Sequence, residues 1–116
     1  MDTNDSPRRS LPPAHAFDIE AAKSRLLDKG GYEIVHESDG VEIGVYVLVA
    51  PEPDRQQPHD DDEVYVVLDG RGTLDVEGKA VELHPGNAVF VPAGADHRFS
   101  GYEQLCVLVV FEKARS

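Results

Sequence analysis

The sequence predicts an all-β sandwich or barrel for this chain of 116 residues. Three observations carry that reading. From Tyr32 onward, short runs rich in Val, Ile, Tyr and Phe follow one another: YEIVHE, VEIGVYVLVA, EVYVVLD, GTLDVE, KAVELH, AVFVPA, DHRFS and QLCVLVVFE. Turn formers separate them, among them SDG, DGRG, EGK and HPGN, at the spacing typical of all-β domains. Several runs are apolar at both odd and even positions, as expected when one face lines an interior and the other lies under a second layer.

The elements follow in order. Residues 1–17 are rich in Pro, Ser and Arg and read as a flexible or loosely docked arm. Asp18 is placed to cap a short helix, IEAAKSRLLDK, that stops at Gly30-Gly31. Its apolar stripe is Ile19, Ala22, Leu26 and Leu27, so residues 18–31 are expected to pack on the barrel formed by 32–116. VEGK reads as a tight hairpin around Glu77-Gly78. PEPDRQQPHDDD stands out as a long loop, and long loops in compact domains are often functional. YEIVHE reads as an edge strand that must be covered, and pairing with a second copy of the chain is one way to do it.

Composition narrows the function classes. Asp and Glu total 22 against 11 Lys and Arg, a net charge of −11. Such a surface repels phosphate backbones and anionic membranes, so no nucleic-acid or membrane partner is expected. No apolar run approaches the ~20 residues needed to cross a bilayer. The first residues lack the apolar stretch of a signal peptide, and the single cysteine forbids an internal disulfide. These features fit a soluble cytoplasmic protein. Cys106, among Leu105, Val107 and Leu108, reads as a small buried hydrophobe. His15 and His84 read as surface residues, and His36 as an ordinary strand residue.

QQPHDDDEVYVVLDGRG, from Gln56 to Gly72, carries the chemistry. Side chains of equal parity share a face of an extended chain. Gln57, His59 and Glu63 therefore point the way that Tyr65 and Val67 point. An imidazole and a carboxylate on an apolar inner face need a partner, either a metal ion or a hydrogen-bonded network. A second stretch, PGNAVFVPAGADHRF, delivers His97 after a turn built on Pro92 and Gly94, with Phe99 on the same face. His59, Glu63 and His97 would make two imidazoles and one carboxylate, a set that leaves open positions and suits Fe(II) and similar ions. Gln57 would add a weaker neutral oxygen. Asp60, Asp61 and Asp62 read as a solvated loop. Tyr65, Phe99 and Tyr46 are candidates for lining a substrate pocket, or else for barrel core.

These residues resemble the cupins over about residues 32–112. The first cupin motif has the form G-x5-H-x-H-x3,4-E-x6-G, and His59, Glu63 and Gly70 match its second half. The second has the form G-x5-P-x-G-x2-H-x3-N, and Gly86, Pro92, Gly94 and His97 match it in register. Three positions depart: Gln57 replaces the first motif histidine, Pro51 the opening glycine, and Gly101 the closing asparagine. The resemblance implies a double-stranded β-helix, a small jelly-roll barrel preceded here by the short helix. It also implies a divalent metal in the barrel mouth, of iron, manganese, nickel, zinc or copper type. Gln57 weakens that affinity or changes which metal is chosen, but leaves the two-histidine, one-carboxylate set intact.

Two functions follow from this reading. One is a metal-dependent enzyme of dioxygenase, isomerase or decarboxylase type acting on a small organic substrate. The other is a non-catalytic domain that holds or senses a small molecule. A metal-free sugar-nucleotide epimerase relative is weaker, because the inner-facing runs offer few Arg or Lys to hold a diphosphate. No separate acid–base residue stands out.

Overall fold

The computed structural model describes residues 10–54 and 58–113. Each of the eight runs forms a strand: β1 (Gly31–Glu37), β2 (Val41–Val49), β3 (Asp62–Gly70), β4 (Gly72–Val76), β5 (Lys79–Leu83), β6 (Ala88–Val91), β7 (His97–Ser100) and β8 (Gln104–Glu112). One helix, α1 (Ile19–Leu26), precedes them. The strands form two antiparallel sheets, a larger one in the order β1-β2-β8-β3-β6 and a smaller one in the order β5-β4-β7. The chain crosses from one sheet to the other between β3 and β4, β5 and β6, β6 and β7, and β7 and β8, which is the jelly-roll pattern.

The period-two pattern explains what each face buries. In β3, Glu63, Tyr65 and Val67 point inward and are buried, while Asp69 is exposed. Tyr65 and Val67 cluster with Leu74, Leu83 and Phe99 of the smaller sheet and with Leu105, Val107, Val109 and Phe111 of β8. Fully burying each such large apolar side chain stabilises the fold by roughly 1.5–3 kcal/mol. β2 and β8 are apolar on both faces for a physical reason. Their outer-facing Val45, Val47 and Cys106 lie under Ala22, Ile19, Leu26 and Leu27 of the helical segment.

The helix begins and ends where side-chain chemistry dictates. Asp18 accepts from the Ala21 N–H at 3.0 Å, and the Gly30 N–H returns to the Leu26 carbonyl at 2.7 Å. Lys23 reaches Asp69 on β3 at 3.2 Å, and this hydrogen-bonded partner raises the Lys23 pKa. Part of the arm expected before the helix is seated on β1. His15 Nε2 lies 3.1 Å from His36 Nδ1, and the Phe17 ring stacks on His36. The Glu77-Gly78 turn has φ of 49° and 82°, the left-handed pair that joins a two-residue hairpin.

Two glycines test the geometry. At Gly70, φ is +85°, and a Cβ would run into the Gln104 carbonyl of the neighbouring strand. At Gly78, φ is +82° but nothing lies within 4 Å of a Cβ. Left-handed backbone alone costs roughly 1–2 kcal/mol. Chemical denaturation should therefore show Gly78→Ala losing about that much and Gly70→Ala clearly more.

Burial raises the Cys106 thiol pKa to about 11. A protonated, inaccessible thiol is a poor nucleophile. Iodoacetamide at mildly alkaline pH should label Cys106 only after the protein unfolds. Because the thiol ionises more readily once unfolded, its contribution to stability is present below the usual thiol value of 9.0 and lost as pH rises toward about 11. Cys106→Ala should remove that part of the alkaline loss.

Candidate metal centre

Three polar side chains converge at one end of the jelly roll. Glu63 projects from the second residue of β3, where alternation with Asp62 and Val64 turns it inward. His97 opens β7, and His59 comes from the loop before β3. Glu63 Oε1 lies 3.2 Å from His59 Nδ1 and 3.2 Å from His97 Nε2. One ligand atom from each of the three falls within 4.8 Å of the others. The Glu63 and His97 side chains are each 1% exposed, whereas His59 is 34% exposed, so the cluster opens to solvent on the His59 side.

Local hydrogen bonds hold the two segments in register. The Gly94 N–H donates to the His59 carbonyl at 2.7 Å, and the Ala93 N–H donates to Asp62 Oδ1 at 2.8 Å. The Pro92–Gly94 turn is thereby stapled to the loop that carries His59. Asp62, expected in a solvated loop, is instead half-buried and part of that staple. Within the turn, the Ala95 N–H reaches the Pro92 carbonyl, and the Ala95 carbonyl accepts from His97 Nδ1 at 2.9 Å. That last bond places the His97 proton on Nδ1 and leaves the Nε2 lone pair facing Glu63.

Electrostatics then ask for a cation. Two lone-pair atoms, His97 Nε2 and Glu63 Oε1, face each other across 3.2 Å in a buried space. Glu63 Oε2 is buried and has no hydrogen-bond partner. Taking a carboxylate out of water costs several kcal/mol unless charge or donors replace the solvent. A divalent ion fits this set, because adjacent ligands ~2.1 Å from a common centre and at right angles lie about 3 Å apart. Tyr65 Oη sits 3.0 Å from His97 Nε2 on the inner side of the cluster.

A cavity of ≈ 430 Å³ adjoins the cluster, lined by Tyr32, Glu42, Tyr46, His59, Asp61, Val109 and Phe111. Of the three residues expected near a pocket, Tyr46 lines this cavity. Tyr65 and Phe99 do not: both are buried beneath it, with their rings 4.9 Å apart, because inward residues farther along β3 and β7 meet the opposite sheet. Gln57 lies outside the described residues. Asp61 faces the cavity, contrary to its reading as solvated loop. Sequence reasoning also missed Tyr32 and Glu42, which reach the cavity only because β1 pairs with β2. Asp54 was missed as well. It is 1% exposed, accepts from the Tyr46 hydroxyl at 3.0 Å and from the Phe99 N–H at 2.8 Å, and so ties the long loop to β2 and β7. A lone Asp between Pro53 and Arg55 gives no local signal of burial.

The Cupin domain model matches residues 45–111, most of the sheet scaffold and all three clustered side chains. The chain is a cupin. The cupin is 37% identical over 103 residues to the uncharacterized protein SCO3923 of Streptomyces coelicolor, covering 87% of this chain and 98% of that one. It is 32% identical over 117 residues to an acireductone dioxygenase of Leishmania braziliensis, covering 89% of this chain. It spans only 33% of that longer relative. Among solved structures, TT1209 from Thermus thermophilus superposes with a TM-score of 0.70 at 26% identity, over 82% of this chain and 93% of that one. A cupin superfamily protein from Desulfitobacterium hafniense, 17% identical, shares the fold with a TM-score of 0.73 over 94% and 100% of the two chains.

Removing Asp54 from this cupin should leave the Phe99 N–H and the Tyr46 hydroxyl without partners. Each buried orphan of that kind costs roughly 1–3 kcal/mol. Asp54→Ala should therefore lower the unfolding free energy by about 2–4 kcal/mol in urea titrations, with Asp54→Asn losing less because it keeps one acceptor oxygen.

Proposed function

We propose that this cupin is a metal-dependent enzyme acting on a small organic molecule, with His59, Glu63 and His97 holding a divalent first-row ion. The observation that carries the reading is the buried Glu63 carboxylate, set between two imidazole nitrogens with Oε2 unpartnered. The similarity to acireductone dioxygenases over most of the chain supports a reaction of oxygenase type. An ion bound here supplies Lewis acidity toward a carbonyl or enol oxygen and, if redox-active, a site for electron transfer to dioxygen.

The chain's own residues do the rest. The Ala95 carbonyl fixes the His97 tautomer, so that Nε2 serves as a ligand without a rotation or proton loss. The Tyr65 hydroxyl donates to His97 Nε2 at 3.0 Å and holds the ring from its inner side. Phe111, with its ring 5.0 Å from that of His59, excludes water from one flank. His59 faces the cavity, which makes its side of the cluster the approach for substrate.

A ligand-holding domain without turnover is the second reading, favoured by Gln57 standing where cupins carry their first motif histidine. Elemental analysis of tag-free protein purified without chelator tests the site. Near-stoichiometric metal is expected in the wild type, and loss by at least about tenfold in His97→Ala and Glu63→Gln, with both variants folded by circular dichroism. Metal-free protein that cannot be reloaded would refute the site. Metal-loaded protein without turnover of enols, diketones or thiols under oxygen would favour the second reading.

A further inference from the structure

The cavity beside the metal centre has a composition that names a class of ligand. Its walls carry three aromatic rings, Tyr32, Tyr46 and Phe111, and two carboxylates, Glu42 and Asp61. Among the described residues that line it, none is Lys or Arg. Both tyrosines donate their hydroxyls to carboxylates, Tyr32 to Glu42 Oε2 at 2.7 Å and Tyr46 to Asp54 Oδ1 at 3.0 Å. Donation to an anion pushes electron density back into the ring and deepens the negative potential over its face. Burial and these carboxylates raise both phenol pKa values far above neutrality, so the rings keep their protons and their orientation.

The rings are also fixed in place. Tyr32 lies over Gly44, where a Cβ would overlap its ring. The Tyr32 and Tyr46 centroids are 6.2 Å apart at an interplanar angle of 76°, so one edge meets the other face and the two line a corner. The result is a pocket walled by aromatic rings with carboxylates among them, in a protein of net charge −11. By these walls alone, without a metal ion beside them, an anionic ligand would be repelled. A neutral one would gain only apolar contact. A positively charged group gains contact, ring potential and carboxylate together.

We propose that the molecule bound by this cupin carries a compact organic cation, an ammonium or quaternary ammonium group, seated against Tyr32, Tyr46 and Glu42 while its oxygen-bearing end reaches His59. This rests on the reading of the cluster as the reaction site. The cation pocket itself is testable without any metal.

Three isosteres decide it: choline, its uncharged carbon analogue 3,3-dimethylbutan-1-ol, and the anion 3,3-dimethylbutanoate. Each is titrated into chelator-treated protein at fixed ionic strength, with binding followed by NMR shift changes. Choline is expected to bind about tenfold tighter than the neutral alcohol, and the anion weakest. Glu42→Gln should erase most of that preference, lowering choline affinity several-fold more than affinity for the alcohol. Tyr32→Leu provides a second, independent loss of choline affinity. Equal affinity for choline and the alcohol overturns the proposal, as does tighter binding of the anion. No choline binding at millimolar concentration overturns it too. Because the protein is stripped of metal, these outcomes are separate from the elemental analysis. A pocket that selects choline in a protein that never takes up metal would sink the metal reading and leave this one standing.

Discussion

A carboxylate sealed from water must be balanced, and the rest of this structure is arranged around that need at Glu63. Its side chain is held inside by the strand pairing of β3 with β6 and β8, and cannot swing to solvent without unpicking the centre of the larger sheet. The two imidazoles approach one of its oxygens and leave the other unpartnered. Buried charge that is half satisfied is costly, and such sites usually persist for function rather than for stability. The fold maintains this one by closing the distance between two remote segments. The staple between the His59 loop and the Pro92–Gly94 turn has no role in the hydrophobic core, yet it sets where both histidines point.

Much of this architecture was legible in the sequence. Turn residues and period-two runs marked eight strands, and parity alone put Glu63, Tyr65 and Val67 on one buried face and His97 with Phe99 on another. Two-sided apolar runs foretold that β2 and β8 lie between layers. What was not legible depends on contacts between residues far apart in the chain. Asp54 meets Phe99 across 45 residues, and Asp62 meets Ala93 across 31. Neither aspartate differs locally from a solvated loop residue. Parity gives a face but not a depth, which is why Tyr65 and Phe99 belong to the floor of the site and not to the cavity wall.

The cupin motifs and the physical reading agree on which residues matter while resting on different grounds. The motif names positions; the coordinates show why those positions need one another. Pro92 and Gly94 shape a turn whose carbonyl at Ala95 orients an imidazole, and Gly70 permits a close approach of β3 to β8 that no side chain would allow. The departure at Gln57 is informative for the same reason. It puts an amide where the cupin motif has an imidazole, while Glu63 and His97 keep their motif identities and face each other at 3.2 Å.

The two sheets are unequal, five strands against three, and the difference separates two duties. Glu63 and His97 sit on strands from opposite sheets, in the doubly covered part of the sandwich. Tyr32, Glu42 and Tyr46 sit on β1 and β2, at the β1 end of the larger sheet. Tyr32 and Glu42 are hydrogen-bonded to each other, so changing them reshapes the cavity wall without removing the contact of Glu63 with His97. A lineage built this way can change what its cavity admits by editing the β1 end of the larger sheet and keep the buried carboxylate–imidazole pair intact.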